Sequence, residues 1–137
     1  MDKKNQFTYT VYYENTDSSG FAYHTTYLEF AERARSEILS SHFPDVISYL
    51  KSNTFFFVIK ELSVNFLKPS FLFDKLTVMT KFEKNTAASI KLKQIIFNRQ
   101  NRICEISVHL AWIDGKKKKP CKIPKNIISR FKLMLVV

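Results

Sequence analysis

Glycine is nearly absent from this sequence: 137 residues hold two. A P-loop or a dinucleotide-binding turn needs several glycines in one short segment to bring bare backbone against a phosphate, so neither is present. Cysteine is as scarce. Cys104 and Cys121 match no CxxC or Cys/His metal spacing, and Cys104 falls on an alternating strand, where it reads as buried filler rather than a nucleophile. No metal and no cofactor is implied. Nothing approaches the ~20 apolar residues of a membrane-crossing helix, and the start Met1-Asp2-Lys3-Lys4-Asn5-Gln6 lacks the apolar core of a secretory leader. The expectation is a cytoplasmic protein without an integral membrane segment. Acidic residues are few, 12 against 22 basic ones, for a net charge of +10. An anionic partner would explain that excess, and so would a lysine-biased composition, since 17 of the 22 are lysine.

What the sequence does have is apolar and aromatic mass: 45% hydrophobic residues, with 13 Phe and 6 Tyr. A chain of this size buries roughly 70% of its unfolded surface, so residues 1–137 are read as one domain with a core that needs no staple. Phe7, Tyr9, Val11 and Tyr13 alternate with polar neighbours as a half-buried strand does. Asn15 to Gly20 then breaks the period with turn formers, and Gly20 is free to take a positive φ. Thr26-Tyr27-Leu28-Glu29 has the form of a capping box. Beyond it Tyr27, Phe30, Ala31, Ala34 and Ile38 recur at helical spacing, which predicts a long amphipathic helix beginning near residues 24–26.

The stretch Tyr12-Tyr13-Glu14-Asn15-Thr16-Asp17-Ser18-Ser19-Gly20-Phe21-Ala22-Tyr23-His24-Thr25-Thr26-Tyr27 thus sets one carboxylate, one glycine turn and one imidazole between a strand and a helix start. It resembles the signature of the 4-hydroxybenzoyl-CoA thioesterase family and its YbgC-like acyl-CoA thioesterase branch. Val58 to Pro69 is similar to the family's second strand, and Ile123-Pro124 to its closing segment. Asn15 stands where the family commonly has Asp, and Thr25-Thr26 replaces a common Ala-Asn or Ser-Asn. The resemblance implies a hotdog fold, hydrolysis of acyl-CoA to a free acid and coenzyme A, and a homodimer or homotetramer with the pocket between protomers.

The chemistry follows from the residue types. A thioester carbonyl is already electrophilic, so an enzyme must deliver an oxygen nucleophile and stabilise an oxyanion. Asp17 can act as general base toward water or attack directly, and the sequence leaves both open. Backbone N–H groups at the helix start can hold the oxyanion. His24 can hold a water or the thioester and help protonate the departing thiolate, or serve as an ordinary polar residue at the helix start. Tyr13 can donate its hydroxyl to Asp17, line the pocket, or pack in the core. Gly20 and Tyr23 can border the thioester, and Lys116, Lys117, Lys118 and Lys119 can meet coenzyme A phosphates or an acidic acyl carrier protein, or stand as a solvated loop.

The rest of the chain reads as four consecutive strands: Phe55 to Leu67, Leu76 to Phe82, Ser89 to Phe97, and Cys104 to Asp114. His42 to Asp45 reads as a helix end and short linker, with a further turn of helix over Val46 to Lys51 and a terminal helix over Pro124 to Leu133. One long helix with consecutive strands makes an α+β layout in which an antiparallel sheet wraps a helix. A non-catalytic hotdog module that binds acyl thioesters or acyl carrier protein shares this pattern. A nucleic-acid-binding domain does not, because the aromatics alternate into the core and no reader motif appears.

Overall fold

In the computed structural model, which describes residues 5–135, the alternating stretches build one antiparallel sheet curled around a long helix. The strands are β1 (Gln6–Thr10), β2 (Phe55–Phe66), β3 (Lys75–Asn85), β4 (Ser89–Asn98), β5 (Asn101–Asp114) and a short β6 (Lys119–Pro120). Their order is β1-β3-β4-β5-β2, with β6 on β5. Helix α1 (His24–His42) lies on the inner face, followed by α2 (Pro44–Ser52), and α3 (Lys125–Met134) packs its Ile127 and Phe131 into the core beside α2. The α+β layout expected from the element order is the one observed. Residues 1–4, read above for an apolar leader, lie outside the described residues, among which no helix is long and apolar enough to cross a membrane.

The inner face of β5 carries Cys104, Ile106, Val108, Leu110 and Trp112, all buried, facing the stripe of α1. Two clusters result. One surrounds Trp112, with Phe55 and Phe57 at ring distances of 5.7 and 4.7 Å and Tyr49 at 6.2 Å. The other joins Phe30, Ala31 and Ala34 of α1 to Val11, Val78, Ile96 and Ile106. Between them the amide of Gln94, fully buried, donates to the Ala31 carbonyl and to the Thr80 hydroxyl at 3.0 Å each, and accepts from the Arg35 guanidinium at 2.7 Å. Cys104 is core filler as read: burial pushes its thiol up to about 12, far from a reactive thiolate.

Several local expectations are corrected. Tyr13 does not extend β1, which ends at the Thr10–Lys75 pair; Val11 still bonds through its N–H to the Asp74 carbonyl and through its carbonyl to the Phe73 N–H, and the chain then turns through a 3-10 turn at Tyr13–Asn15. Thr26 is not the helix cap. The helix begins at His24 after Tyr23, which makes no side-chain cap, and the buried Thr26 hydroxyl instead donates to the Asn15 carbonyl at 2.9 Å. Pro44 starts a helix instead of a linker, because at the first helical positions it sacrifices no hydrogen bond. Strand β2 is exposed over most of its length despite its apolar content, since it stands at the sheet edge with β5 on one side.

Candidate active site

The segment from Val11 to Ser70 is held together by backbone hydrogen bonds that fix where Asp17 sits. Thr16 and Ala22 pair as a small hairpin, with the Asp17 N–H donating to the Phe21 carbonyl at 2.8 Å near its tip. Gly20 turns that tip with φ +87°, a conformation costly for any residue with a Cβ. The hairpin is stitched on one side to residues 70–72, through Ala22 N–H to the Ser70 carbonyl at 2.9 Å and Leu72 N–H to the Gly20 carbonyl at 3.1 Å. Phe21 and Phe71 pair there, their rings 4.8 Å apart. On the other side Tyr23 N–H and the Thr26 hydroxyl both donate to the Asn15 carbonyl, tying the loop to the start of α1.

Asp17 is held by one of its two oxygens. Its Oδ1 accepts from the Ser19 N–H at 2.8 Å, the Ser19 hydroxyl at 2.6 Å and the Phe21 N–H at 3.2 Å. These donors, the Ser19 hydroxyl foremost, hold the carboxyl below the usual carboxylate range. Its Oδ2 carries no recorded hydrogen bond among the described residues. The turn-residue role of Asp17 and its proposed chemical role are therefore compatible: Oδ1 does the first and Oδ2 stays available for the second.

His24 opens α1 at the rim of a recess lined by Ala22, Tyr27, Phe66, Leu67, Lys68 and Pro69, its ring edge-on to Phe66 at 6.3 Å. Tyr27, one of the lining residues, is buried, and its hydroxyl stands 2.7 Å from the hydroxyl of the buried Ser70. No side chain caps α1, and its third N–H, that of Thr26, donates to the Tyr23 carbonyl at 2.9 Å, so the N–H groups of His24 and Thr25 are the ones the helix start offers to an incoming oxygen. Tyr23, half exposed, stands just before the helix. Tyr13 is 82% exposed, and its hydroxyl makes no recorded bond to Asp17 among the described residues. Tyr27, Ser70, Phe66 and Lys68 were not singled out from the sequence. Tyr27 reads as core stripe, and Lys68-Pro69-Ser70 reads simply as a strand terminator.

Lys116–Lys119 stands elsewhere in the chain. Gly115 sits so close to the Asn53 carbonyl that a Cβ would come within 2.0 Å of its oxygen, and Lys116, Lys117 and Lys118 follow in the turn between β5 and β6, with Lys119 opening β6. That turn is beside the Phe55 end of β2, whereas the His24 recess is beside Phe66. The two ends of that strand are separated by roughly 35 Å at about 3.3 Å per residue. The lysine run therefore does not reach Asp17 within one chain.

The thioesterase superfamily profile matches residues 19–105. The chain belongs to the thioesterase superfamily. It is 35% identical over 123 residues to an Escherichia coli O6:H1 protein called acyl-CoA thioester hydrolase YbgC, covering 89% of this chain and 91% of that one. Its identity to the Haemophilus influenzae acyl-CoA thioesterase YbgC is 32% over 131 residues, with 96% of each covered. Among solved structures, one described as a probable thioesterase from Bartonella henselae superposes with a TM-score of 0.77 at 32% identity, over 87% of this chain and 98% of that one. Hotdog architecture, implied by the resemblance above, is thus the fold of this chain.

Proposed function

We propose that the protein hydrolyses acyl-CoA thioesters to a free acid and coenzyme A, as the names of its relatives say of those proteins. The observation that carries the reading is the anchored carboxylate: Asp17, fixed through Oδ1 and free at Oδ2, in a loop bonded to the uncapped start of α1. Oδ2 either removes a proton from an attacking water or adds to the carbonyl carbon, giving a mixed anhydride that water then opens. The carbonyl oxygen, gaining charge, is met by N–H groups at the helix start. The thiolate of coenzyme A leaves and takes up a proton, with His24 on the recess rim as its donor. Label in the Asp17 carboxyl after a single turnover in heavy-oxygen water identifies direct attack, with water opening the anhydride at the aspartyl carbon, and hydroxylamine trapping of the acyl group identifies an anhydride opened at the acyl carbon.

Assembly belongs to the same proposal. Strand β2 runs 12 residues along an edge and exposes Val58, Ile59, Leu62 and Phe66 at 40, 48, 39 and 48%. An edge of that length and character is a template for pairing. Two copies pairing antiparallel through β2 would set the Phe55 end of each against the Phe66 end of the other. Each Lys116–Lys119 run would then approach the other copy's Asp17 loop, where it meets coenzyme A phosphates or an acidic carrier protein. A dimer, or a dimer of such dimers, of one-domain chains acting in the cytoplasm completes the proposal.

The test is thiol release across acyl-CoA chain lengths. Release well above the uncatalysed rate for some chain length supports the reading. Binding of acyl-CoA without release at any length contradicts it and favours a non-catalytic module.

A further inference from the structure

The outer face of the sheet is a second surface with chemistry of its own. All three helices pack on the inner face, against Ile90, Leu92, Val108 and Leu110. Side chains alternate across a strand, so Lys91 and Lys93, which flank the inward Leu92, point outward. Lys81 lies directly opposite Lys93 across β3 and β4, and Lys84 directly opposite Lys91. The result is a square of four lysine positions on two neighbouring strands. Like charges set opposite each other in a sheet are destabilising, and scattering lysines for solubility does not require that arrangement. The acids nearby neutralise little of it. Glu83 pairs with Lys91 at 3.5 Å, while Glu105 is taken by Arg102 at 3.3 Å. Beside the square, Met79 and Ile95 pair on this same outer face and are nonetheless buried, at 8 and 1% exposure. With no helix above them, neighbouring long side chains are what is left to cover them.

We propose that this face docks the protein on an anionic lipid bilayer. Charge complementarity selects the partner class, and the form of the surface selects the bilayer within it. A protein partner is held by buried aromatic or aliphatic anchors at the centre of a contact, and here the central Met79 and Ile95 are already buried and unavailable. The face offers diffuse positive charge without a groove or an anchor, which is what a lipid surface of diffuse negative charge requires. Two such faces repel each other, so the square also disfavours packing sheet against sheet between copies. The proposal is independent of the chemistry at Asp17.

The experiment is co-sedimentation of the full chain with vesicles of phosphatidylcholine alone or mixed with phosphatidylglycerol. The protein is expected to bind the anionic vesicles, to ignore the zwitterionic ones, and to be released by salt. Each lysine near the surface is worth about fivefold in binding. The variant carrying Lys81→Gln, Lys84→Gln, Lys91→Gln and Lys93→Gln should therefore lose about a hundredfold or more, with its melting temperature unchanged or raised. Neutralising Lys116 to Lys119 instead should lose less. Equal binding of both vesicle types, no binding to either, or an undiminished quadruple sheet variant overturns the proposal. So does a larger loss from the Lys116–Lys119 variant, or retention on an acidic protein or nucleic acid with none on anionic vesicles.

Discussion

The two ends of α1 are built for different purposes. At its C-terminal end Phe43 stacks on Phe131 at 4.4 Å, the Arg130 guanidinium lies 4.8 Å over the Phe43 ring, and Trp112 is enclosed by Phe55, Phe57 and Tyr49. At its N-terminal end Asp17, His24 and Tyr23 stand at or near the surface, held by short backbone bonds around Gly20 and Asn15. One end supplies contact area that cannot move without loss. The other supplies polar groups, and orders them by hydrogen bonds to backbone in place of burial. On the proposed function, stability and chemistry separate along one helix, so substitutions should sort by which end they touch.

The largest expected effect breaks the aromatic end. Trp112→Ala should cost about 3–5 kcal/mol, the range for removing a buried aromatic, out of a total stability of about 5–15 kcal/mol. Denaturant unfolding would measure the shift, while activity per folded molecule should stay near wild type. A smaller effect is expected at the other end. Gly20→Ala should destabilise by about 1 kcal/mol, because φ +87° opposes a Cβ although open space surrounds it. Unlike Trp112→Ala, it should lower kcat among molecules that remain folded, through displacement of the Asp17 carboxyl.

Changing Lys116 to Lys119 to Gln should touch neither end's stability. If a second copy brings the run to coenzyme A phosphates, KM rises several-fold on acyl-CoA with kcat nearly intact, since that contact is the same in ground and transition states. A short acyl thioester lacking the nucleotide should show no change. Equal changes for both substrates, or none, leave the run a solvated loop. The smallest effect is a flat line. The carboxyl of Asp17 is held below the ordinary carboxylate range, so it stays ionised as pH falls through 5 and loses its charge below that range. A profile of kcat/KM should therefore show no acid limb from Asp17 between about pH 5 and 8, and any inflection there should survive its replacement.

Much of this division was legible in the sequence, and particular residues show where legibility stopped. The stripe of α1 and the inward row of β5 were readable because each face meets a continuous core, which enforces its period. Strand β2 has the same alternation, yet its exposure depends on which strand stands at the edge, and the period carries no such information. Tyr13 keeps the alternation of β1, but the backbone bonds to the neighbouring segment stop at Val11 and Tyr13 opens a 3-10 turn. The Thr26 pattern of a capping box was overruled by a tertiary bond to the Asn15 carbonyl. Asp17, Gly20, Tyr23 and His24 could be singled out as candidates because the motif is contiguous. The contact between the Tyr27 and Ser70 hydroxyls was not legible, because it joins residues far apart in sequence and a local pattern cannot report it.

If the free oxygen of the Asp17 carboxylate performs the hydrolysis, Asp17→Asn removes that one group and little else. The amide keeps an acceptor oxygen for the Ser19 and Phe21 donors, so the loop and the melting temperature should be close to wild type. It replaces the second oxygen with a nitrogen that neither accepts a proton nor attacks a carbonyl. Thiol release from a good acyl-CoA substrate should fall by a factor of ~10² or more. A folded Asp17→Asn protein that hydrolyses acyl-CoA at the wild-type rate would contradict the account.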